Sequence, residues 1–275
     1  MQYIITPPLH IDTRITLPAS KSVSNRALIV QALTKEGILP ENLSDCDDTK
    51  VILQAFSQPS DVIDIKASGT AMRFLTAYLC LLQGEHIITG TERMKHRPIK
   101  ILVDALRYLG ADIDYIGNEG YPPLRIRGRE LEGGQLVIPG NVSSQYVSAL
   151  LMIAPILTKG LDLKLTGEIV SRPYIDLTLH IMHEFGVAAE WTNFDTISVK
   201  PQQYTRRTYT IENDWTASSY WYEILALQDD LDAEVVISGL KDGSRQGDAA
   251  VRYIFSLLGI KTNFARKNAE GLPDA

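Results

Sequence analysis

Long apolar stretches along this chain each follow a short run of small hydroxyl residues. AMRFLTAYLCLL follows Ser68-Gly69-Thr70, YVSALLMIAPIL follows Ser143-Ser144-Gln145, and SYWYEILAL follows Thr216-Ala217-Ser218. Apolar positions at helical spacing predict a helix in each case, entered through a hydroxyl cap. The three starts lie about 75 residues apart. Some 42 to 44 residues beyond each, a second helical pattern closes on an apolar residue, a glycine and an apolar residue: Leu109-Gly110-Ala111, Phe185-Gly186-Val187 and Leu258-Gly259-Ile260. Glycine there suits a left-handed C-cap. These second helices carry Asp104, Asp176 and Asp248 near their starts.

Short β-branched runs such as HIITG, GQLVIPG, LDLKLTG, TISVK and AEVVISG stand between the helices and predict strands. The repeating unit therefore reads β-α-β-α-β-β. Ser20-Lys21-Ser22 before NRALIVQAL, followed by DDTKVILQAF, has the same order at shorter spacing and without the terminal glycine, which makes four copies. Such a unit cannot cover its own apolar faces, so several must share an interior. Three copies are expected to close one domain. The fourth, from roughly Tyr209, begins a second that looks unfinished where the chain reaches Leu272-Pro273-Asp274-Ala275.

Composition supports an ordinary soluble protein: 275 residues, 45% hydrophobic and 22% charged. A net charge of -6 without a long basic run argues against nucleic acid as a partner, so any anion site is local. Cys46 and Cys80 have no metal-like spacing, and neither looks like a nucleophile, the first lying among acids and the second in an apolar helix. The N-terminus has no signal-like pattern and no stretch approaches a membrane span, so a cytoplasmic protein without membrane attachment is expected, with no metal and no cofactor.

The first copy departs from a plain cap. Lys21 in its loop and Arg26 one turn into the helix place two cations at a positive helix end, which calls for a compensating anion or carboxylate. The segment TERMKHRPIK concentrates Arg93, Lys95, His96, Arg97 and Lys100 around Pro98, which suits the first turn of a helix. Arg97, preceding a proline, is expected to be extended and free to aim a guanidinium at a carboxylate. A solvated basic loop is the plain alternative. Ser171-Arg172-Pro173-Tyr174 repeats the pattern, and Asp214 before Trp215 reads as an N-cap.

LPASKSVSNRALI, SGTAMRFL, ERMKHRPIKILVDAL, GNVSSQYVSALLM, SRPYIDLT and DWTASSY, in that order from Leu17 to Tyr220, resemble the EPSP synthase (3-phosphoshikimate 1-carboxyvinyltransferase) family. The resemblance implies an α/β fold, an inside-out α/β barrel of repeated β-α-β-α-β-β units in two domains. Residues 16–211 would form the complete domain, and residues 1–15 with 212–275 part of the other. It also implies transfer of the enolpyruvyl group from phosphoenolpyruvate to the 5-hydroxyl of 3-phosphoshikimate by a monomer without a metal.

Carried over by position, Lys21 touches both substrates while Ser22 and Arg26 hold the shikimate carboxylate. Ser143, Ser144 and Ser171 bind the 3-phosphate. Gln145 lies near the reacting centre and Tyr174 beside the ring; Gly69 and Arg97 bind phosphoenolpyruvate, with Arg73 supporting that loop. Ala67 stands where the family usually has Asn or another polar residue. The family's aspartate base, Lys-Glu acid pair and three further cations fall beyond residue 275, SRQGD at 244–248 being the last landmark, so the 275 residues alone are expected not to turn over. Two alternatives stand beside this: the related UDP-N-acetylglucosamine enolpyruvyl transferases, which carry Lys-Asn where this chain has Lys21-Ser22, and a non-catalytic anion-binding module.

Overall fold

The computed structural model describes residues 8–57 and 60–265. The chain divides into two compact units: Ala19–Ile211, and the described residues on either side, up to Pro18 and from Glu212. The first strand, β1 (Asp12–Thr16), belongs to the smaller unit.

The larger unit opens with two helices, α1 (Lys21–Ala32) and α2 (Asp47–Ser57). Two successive copies of one motif follow. The first runs β2 (Val62–Asp64), α3 (Gly69–Leu79), β3 (Gly84–Thr89), the short α4 (Glu92–Lys95), α5 (Lys100–Tyr108), β4 (Asp112–Tyr115) and β5 (Leu124–Gly128). The second runs β6 (Gly134–Pro139), α6 (Ser144–Ile153), β7 (Leu161–Thr166), α7 (Arg172–Glu184), β8 (Ala189–Trp191) and β9 (Thr196–Val199). Their sheets have the same order, β2-β3-β5-β4 and β6-β7-β9-β8. In each, the first two strands are parallel across a helix and the last two join antiparallel.

Register explains why each sheet has one buried face. Leu136 pairs with Leu163, and Leu163 with Ile197, so three buried side chains form a row across β6, β7 and β9. The matching row in the other sheet is Ile63, Ile88 and Leu124. Along β7 every second residue, Leu161, Leu163 and Leu165, is buried while those between face solvent. The sheets are thus the outer layer.

Helices α1, α3 and α6 pack on one another inside. Helix α3 is buried from Gly69 through Ala77 and again at Leu79, as expected of a helix apolar all round. Helices α5 and α7 end as their glycines predict. Gly110 (φ +102°) and Gly186 (φ +82°) are left-handed. Each donates to a carbonyl three residues back, and the next residue donates to one five back (Ala111 to Leu106, 2.9 Å; Val187 to Met182, 3.0 Å), the double bond of a Schellman cap.

Equivalence of the copies fails for the first. Among the described residues it supplies two helices and a single parallel bridge, Glu41 to Thr210, rather than a sheet. The link between α1 and α2 bonds elsewhere instead of forming a sheet: Ser44 N–H donates to Ser24 Oγ, and Glu41 N–H to Tyr209 O near the far end of the unit.

In the smaller unit, β1 pairs in parallel with β10 (Glu234–Ser238), which follows α8 (Trp215–Leu227). A parallel pair therefore recurs here, although its two strands are separated in sequence by the whole larger unit as well as by α8. Asp214 caps α8, accepting from Thr216 N–H at 2.8 Å; Thr216 itself lies inside the helix rather than before it. Helix α9 (Val251–Ser256) ends at left-handed Gly259 with a third Schellman pair. Trp215, Tyr222, Ala249 and Val251 form a small core. Leu272 to Ala275, where the sequence suggests an unfinished domain, lie outside the described residues. Among the described residues no helix is long and apolar enough to cross a membrane.

Candidate active site

Four helix N-termini of the larger unit are linked by side-chain bonds at one end of the helical layer. Ser20 caps α1, accepting from Val23 N–H; Ser68 caps α3, accepting from Ala71 N–H at 3.0 Å; Ser143 caps α6, accepting from Gln145 N–H at 3.3 Å. Helix α7 begins differently. Ser171 is left-handed (φ 55°), makes no side-chain cap bond, and is followed by Pro173 in the first turn. First-turn N–H groups lack intrahelical acceptors and carry the positive end of the helix dipole, which favours an anion.

Lys21 and Arg26 meet different fates. The Lys21 ammonium faces Asp48 Oδ2 at 3.4 Å, and Asp48 also accepts from the Ser68 hydroxyl. A carboxylate on α2 thus joins the starts of α1 and α3 and supplies the compensating charge that the sequence demands for Lys21. Arg26 has no carboxylate among the described residues. It is 3% exposed, and its Nε donates to Thr178 Oγ1 (2.7 Å), Nη1 to Ser22 O (2.9 Å), and Nη2 to Ser148 Oγ (3.1 Å) and Tyr174 O (3.4 Å). The rings of Phe74 and Tyr174 lie 5.5 and 5.8 Å from its guanidinium carbon. Burial pulls its pKa down to about 10, so it remains charged at neutral pH.

A second pair of cations flanks Gly69. A β-carbon built there would stand 2.4 Å from Arg97 Nη1 and 2.5 Å from Arg73 Nη1. Only glycine lets both guanidinium groups lie against the start of α3. Arg73 is buried, donates to Gly69 O at 2.7 Å and sits over the Tyr146 ring at 5.6 Å, while its Nε has no acceptor among the described residues. Desolvation and, less, the nearby Arg97 charge lower its pKa. Gln145 Nε2 donates to Thr70 Oγ1 at 3.1 Å, tying α6 to α3.

Ser22, Arg26 and Tyr174 are therefore joined by hydrogen bonds, Lys21 is joined through Asp48 to Ser68, Arg97 lies against Gly69, and Gln145 bonds Thr70 beside it. Ser143, Ser144 and Ser171 stand at the starts of α6 and α7. Thr216 belongs to the other unit. The basic segment divides. Lys95 pairs with Glu92 and Lys100 with Glu119, each at 2.6 Å, leaving Arg97 at Gly69. Pro98 precedes the helix instead of entering it: Ile99 is the cap residue of α5, and the Pro98 carbonyl accepts from Tyr146 OH at 2.6 Å. Arg172 lies 4.0 Å from the Trp191 ring, whose Nε1 donates to Asp176.

Asp48, Ser148 and Thr178 belong to none of the candidate residues named from sequence, and Thr70 enters there only as part of a hydroxyl start. Ser148 and Thr178 each follow a candidate residue, Ser144 and Tyr174, by four positions, the spacing at which a buried hydroxyl in an apolar helix signals a partner. Two surface cavities, of about 650 and 430 Å³, are lined by other residues of this unit, around Gly128–Leu131 and around Phe56 and Tyr78, so the cation cluster coincides with neither. Among the described residues no group of three His, Cys, Asp or Glu is placed to hold a metal. Burial pushes the Cys80 thiol well up.

A family model described as EPSP synthase (3-phosphoshikimate 1-carboxyvinyltransferase) matches residues 5–58 and 53–270. The chain belongs to the EPSP synthase family. It is 57% identical over 264 residues to a 3-phosphoshikimate 1-carboxyvinyltransferase of Bacteroides fragilis, covering 96% of this chain and 64% of that protein. A protein of the same name from Histophilus somni is 39% identical, with 94% and 66% covered. The chain thus spans a little under two thirds of the length of these curated relatives. A solved EPSP synthase from Acinetobacter baumannii superposes with a TM-score of 0.75 at 22% identity, over 89% of this chain and 59% of that one. The two-domain, inside-out α/β fold of EPSP synthase accounts for the outer sheets and buried helices.

Proposed function

We propose that the protein transfers the enolpyruvyl group of phosphoenolpyruvate to the 5-hydroxyl of 3-phosphoshikimate, releasing phosphate, and that Ala19–Ile211 carries the shikimate side of the site. The observation that supports this most is Arg26, a buried cation bonded among the described residues to neutral acceptors alone. A guanidinium taken out of water without a counter-charge is costly, and an incoming carboxylate recovers much of that cost.

In this reading Ser22 and Arg26 take the shikimate carboxylate, Ser143, Ser144 and Ser171 the 3-phosphate at the starts of α6 and α7, and Tyr174 lies beside the ring. Gln145 stands near the reacting centre. Gly69 and Arg97 receive phosphoenolpyruvate with Arg73 behind them, and Lys21 touches both substrates. The 5-hydroxyl gives up its proton as its oxygen adds to C2 and C3 gains a proton; loss of phosphate from C2 and of a proton from C3 of the tetrahedral adduct then forms the enol ether. Charge on both phosphates is met by fixed N–H groups and guanidinium ions already in place, which is where such a site lowers a barrier.

The larger unit reads as a complete three-copy domain and the remainder as part of a second. A cytoplasmic monomer acting on small phosphorylated substrates, with no role for nucleic acid, fits the acidic net charge. Calorimetric titration with 3-phosphoshikimate, alone and with phosphoenolpyruvate, tests the binding. Phosphate release from the two substrates together tests the reaction. Absence of binding at millimolar ligand sinks the reading, and saturable binding of a uridine-diphosphate amino sugar in its place supports the sister activity.

A further inference from the structure

Arg26 could have been held by an aspartate or glutamate, the usual partner of a buried guanidinium. It is held instead by two hydroxyls. Thr178 on α7 and Ser148 on α6 are both fully buried, bond each other at 2.8 Å, and accept from Nε at 2.7 Å and Nη2 at 3.1 Å. Thr178 also reaches Tyr174 O at 2.8 Å. The guanidinium is thereby fixed from two helices without being neutralised.

The donor inventory gives this arrangement a direction. A guanidinium has five N–H bonds. Thr178, Ser148, Tyr174 O and Ser22 O occupy four, and the fifth is on Nη1, the nitrogen that already bonds the Ser22 carbonyl. The remaining donor therefore lies beside Ser22. An acidic partner at position 148 or 178 would have fixed the guanidinium plane equally well but quenched the charge.

We infer that Ser148 and Thr178 are positioning residues for ligand carboxylate recognition: they aim Arg26 beside Ser22 and, being neutral, leave its charge for the ligand. This rests on the proposed binding of a shikimate carboxylate by Ser22 and Arg26. Neither hydroxyl touches the ligand. Their effect is selective, falling on the carboxylate and sparing the 3-phosphate, which is received at other helix ends.

Calorimetry with 3-phosphoshikimate and with its carboxylate methyl ester, on the wild-type protein and on Thr178→Val, Thr178→Ser and Ser148→Ala, tests this. The wild-type protein should prefer the acid. Thr178→Val keeps the volume but loses the acceptor, and should weaken acid binding roughly tenfold with little change for the ester, a loss expected for one hydrogen bond to a charged group. Ser148→Ala should shift the ratio the same way, and Thr178→Ser should restore it. An acid-to-ester ratio unchanged in both Thr178→Val and Ser148→Ala, or a Thr178→Ser variant as impaired as Thr178→Val, overturns the inference while leaving the functional reading standing. A wild-type protein that binds neither compound, or binds both equally, overturns the carboxylate role of Ser22 and Arg26 and the inference with it.

Discussion

On the proposed assignment, replacing Gly69 with alanine tests phosphoenolpyruvate binding apart from that of 3-phosphoshikimate. The added methyl would lie 2.4 and 2.5 Å from the nearest nitrogens of Arg97 and Arg73, against about 3.4 Å for an ordinary contact, so each guanidinium must retreat by about 1 Å. The backbone itself tolerates the change, since Gly69 is the first residue of α3 without a positive φ and alanine is the better helix former by up to about 1 kcal/mol. What suffers is the anion site. Losing the alignment of one charge-assisted bond costs about 1.5–3 kcal/mol, which is about ten- to a hundredfold in affinity. Titration of Gly69→Ala with phosphoenolpyruvate in the presence of 3-phosphoshikimate should show that loss, whereas 3-phosphoshikimate alone should bind nearly as in the wild type, and the melting temperature should move by only a few degrees. Equal weakening of both ligands, or undiminished phosphoenolpyruvate binding, would refute the assignment of Gly69 and Arg97.

Three further outcomes follow from geometry. Arg26→Met replaces a buried, unneutralised cation by an apolar side chain of similar length, and Ser148 and Thr178 can still bond each other; the melting temperature should hold or rise while 3-phosphoshikimate affinity falls more than tenfold, and a drop of about 10 °C or more in scanning fluorimetry contradicts it. Gly186→Ala should cost more in urea unfolding than Gly110→Ala. Both force a left-handed alanine, at about 1 kcal/mol or somewhat more, but only at 186 does the methyl also meet a neighbour, Thr205 Oγ1 at 2.5 Å. His10 in the smaller unit is hydrogen-bonded to Asp230, which raises its pKa and lowers that of the aspartate. The histidine contribution is complete below its unfolded value near 6.5 and fades as pH rises through the raised native value; the aspartate contribution fades as pH falls through its depressed one. NMR titration of the His10 ring should give a midpoint above 6.5, and one at or below it removes the pairing.

The glycine-closed helices and hydroxyl-capped starts were legible in sequence because each is a local device. Gly110, Gly186 and Gly259 occupy the one position of a Schellman cap where only a residue without a β-carbon is comfortable, and Ser20, Ser68 and Ser143 cap within three residues. The charge conflict of Lys21 and Arg26 was legible too, but not its resolution. Asp48 is 27 positions from Lys21, and the partners of Arg26 are 122 and 152 residues away, so only the packing of α1 against α6 and α7 brings them together. The lost sheet of the first copy and the exclusion of Pro98 from α5 escaped for the same reason. A proline starts a helix only if the chain on its other side is free to follow, and here its carbonyl is held by Tyr146 across the unit.

On the proposed reading helices α3 and α6 present their first turns to the ligand, while their remaining residues are largely buried interior. Most proteins separate these duties, recognition on a loop that opens easily and stability in elements that do not. Here the amides that would greet a phosphate and the amides last to exchange with deuterium are a turn or two apart on the same rods. The recognition surface can therefore loosen only when the fold does, and a destabilising core substitution far along α3 should weaken anion capture and lower the melting temperature together.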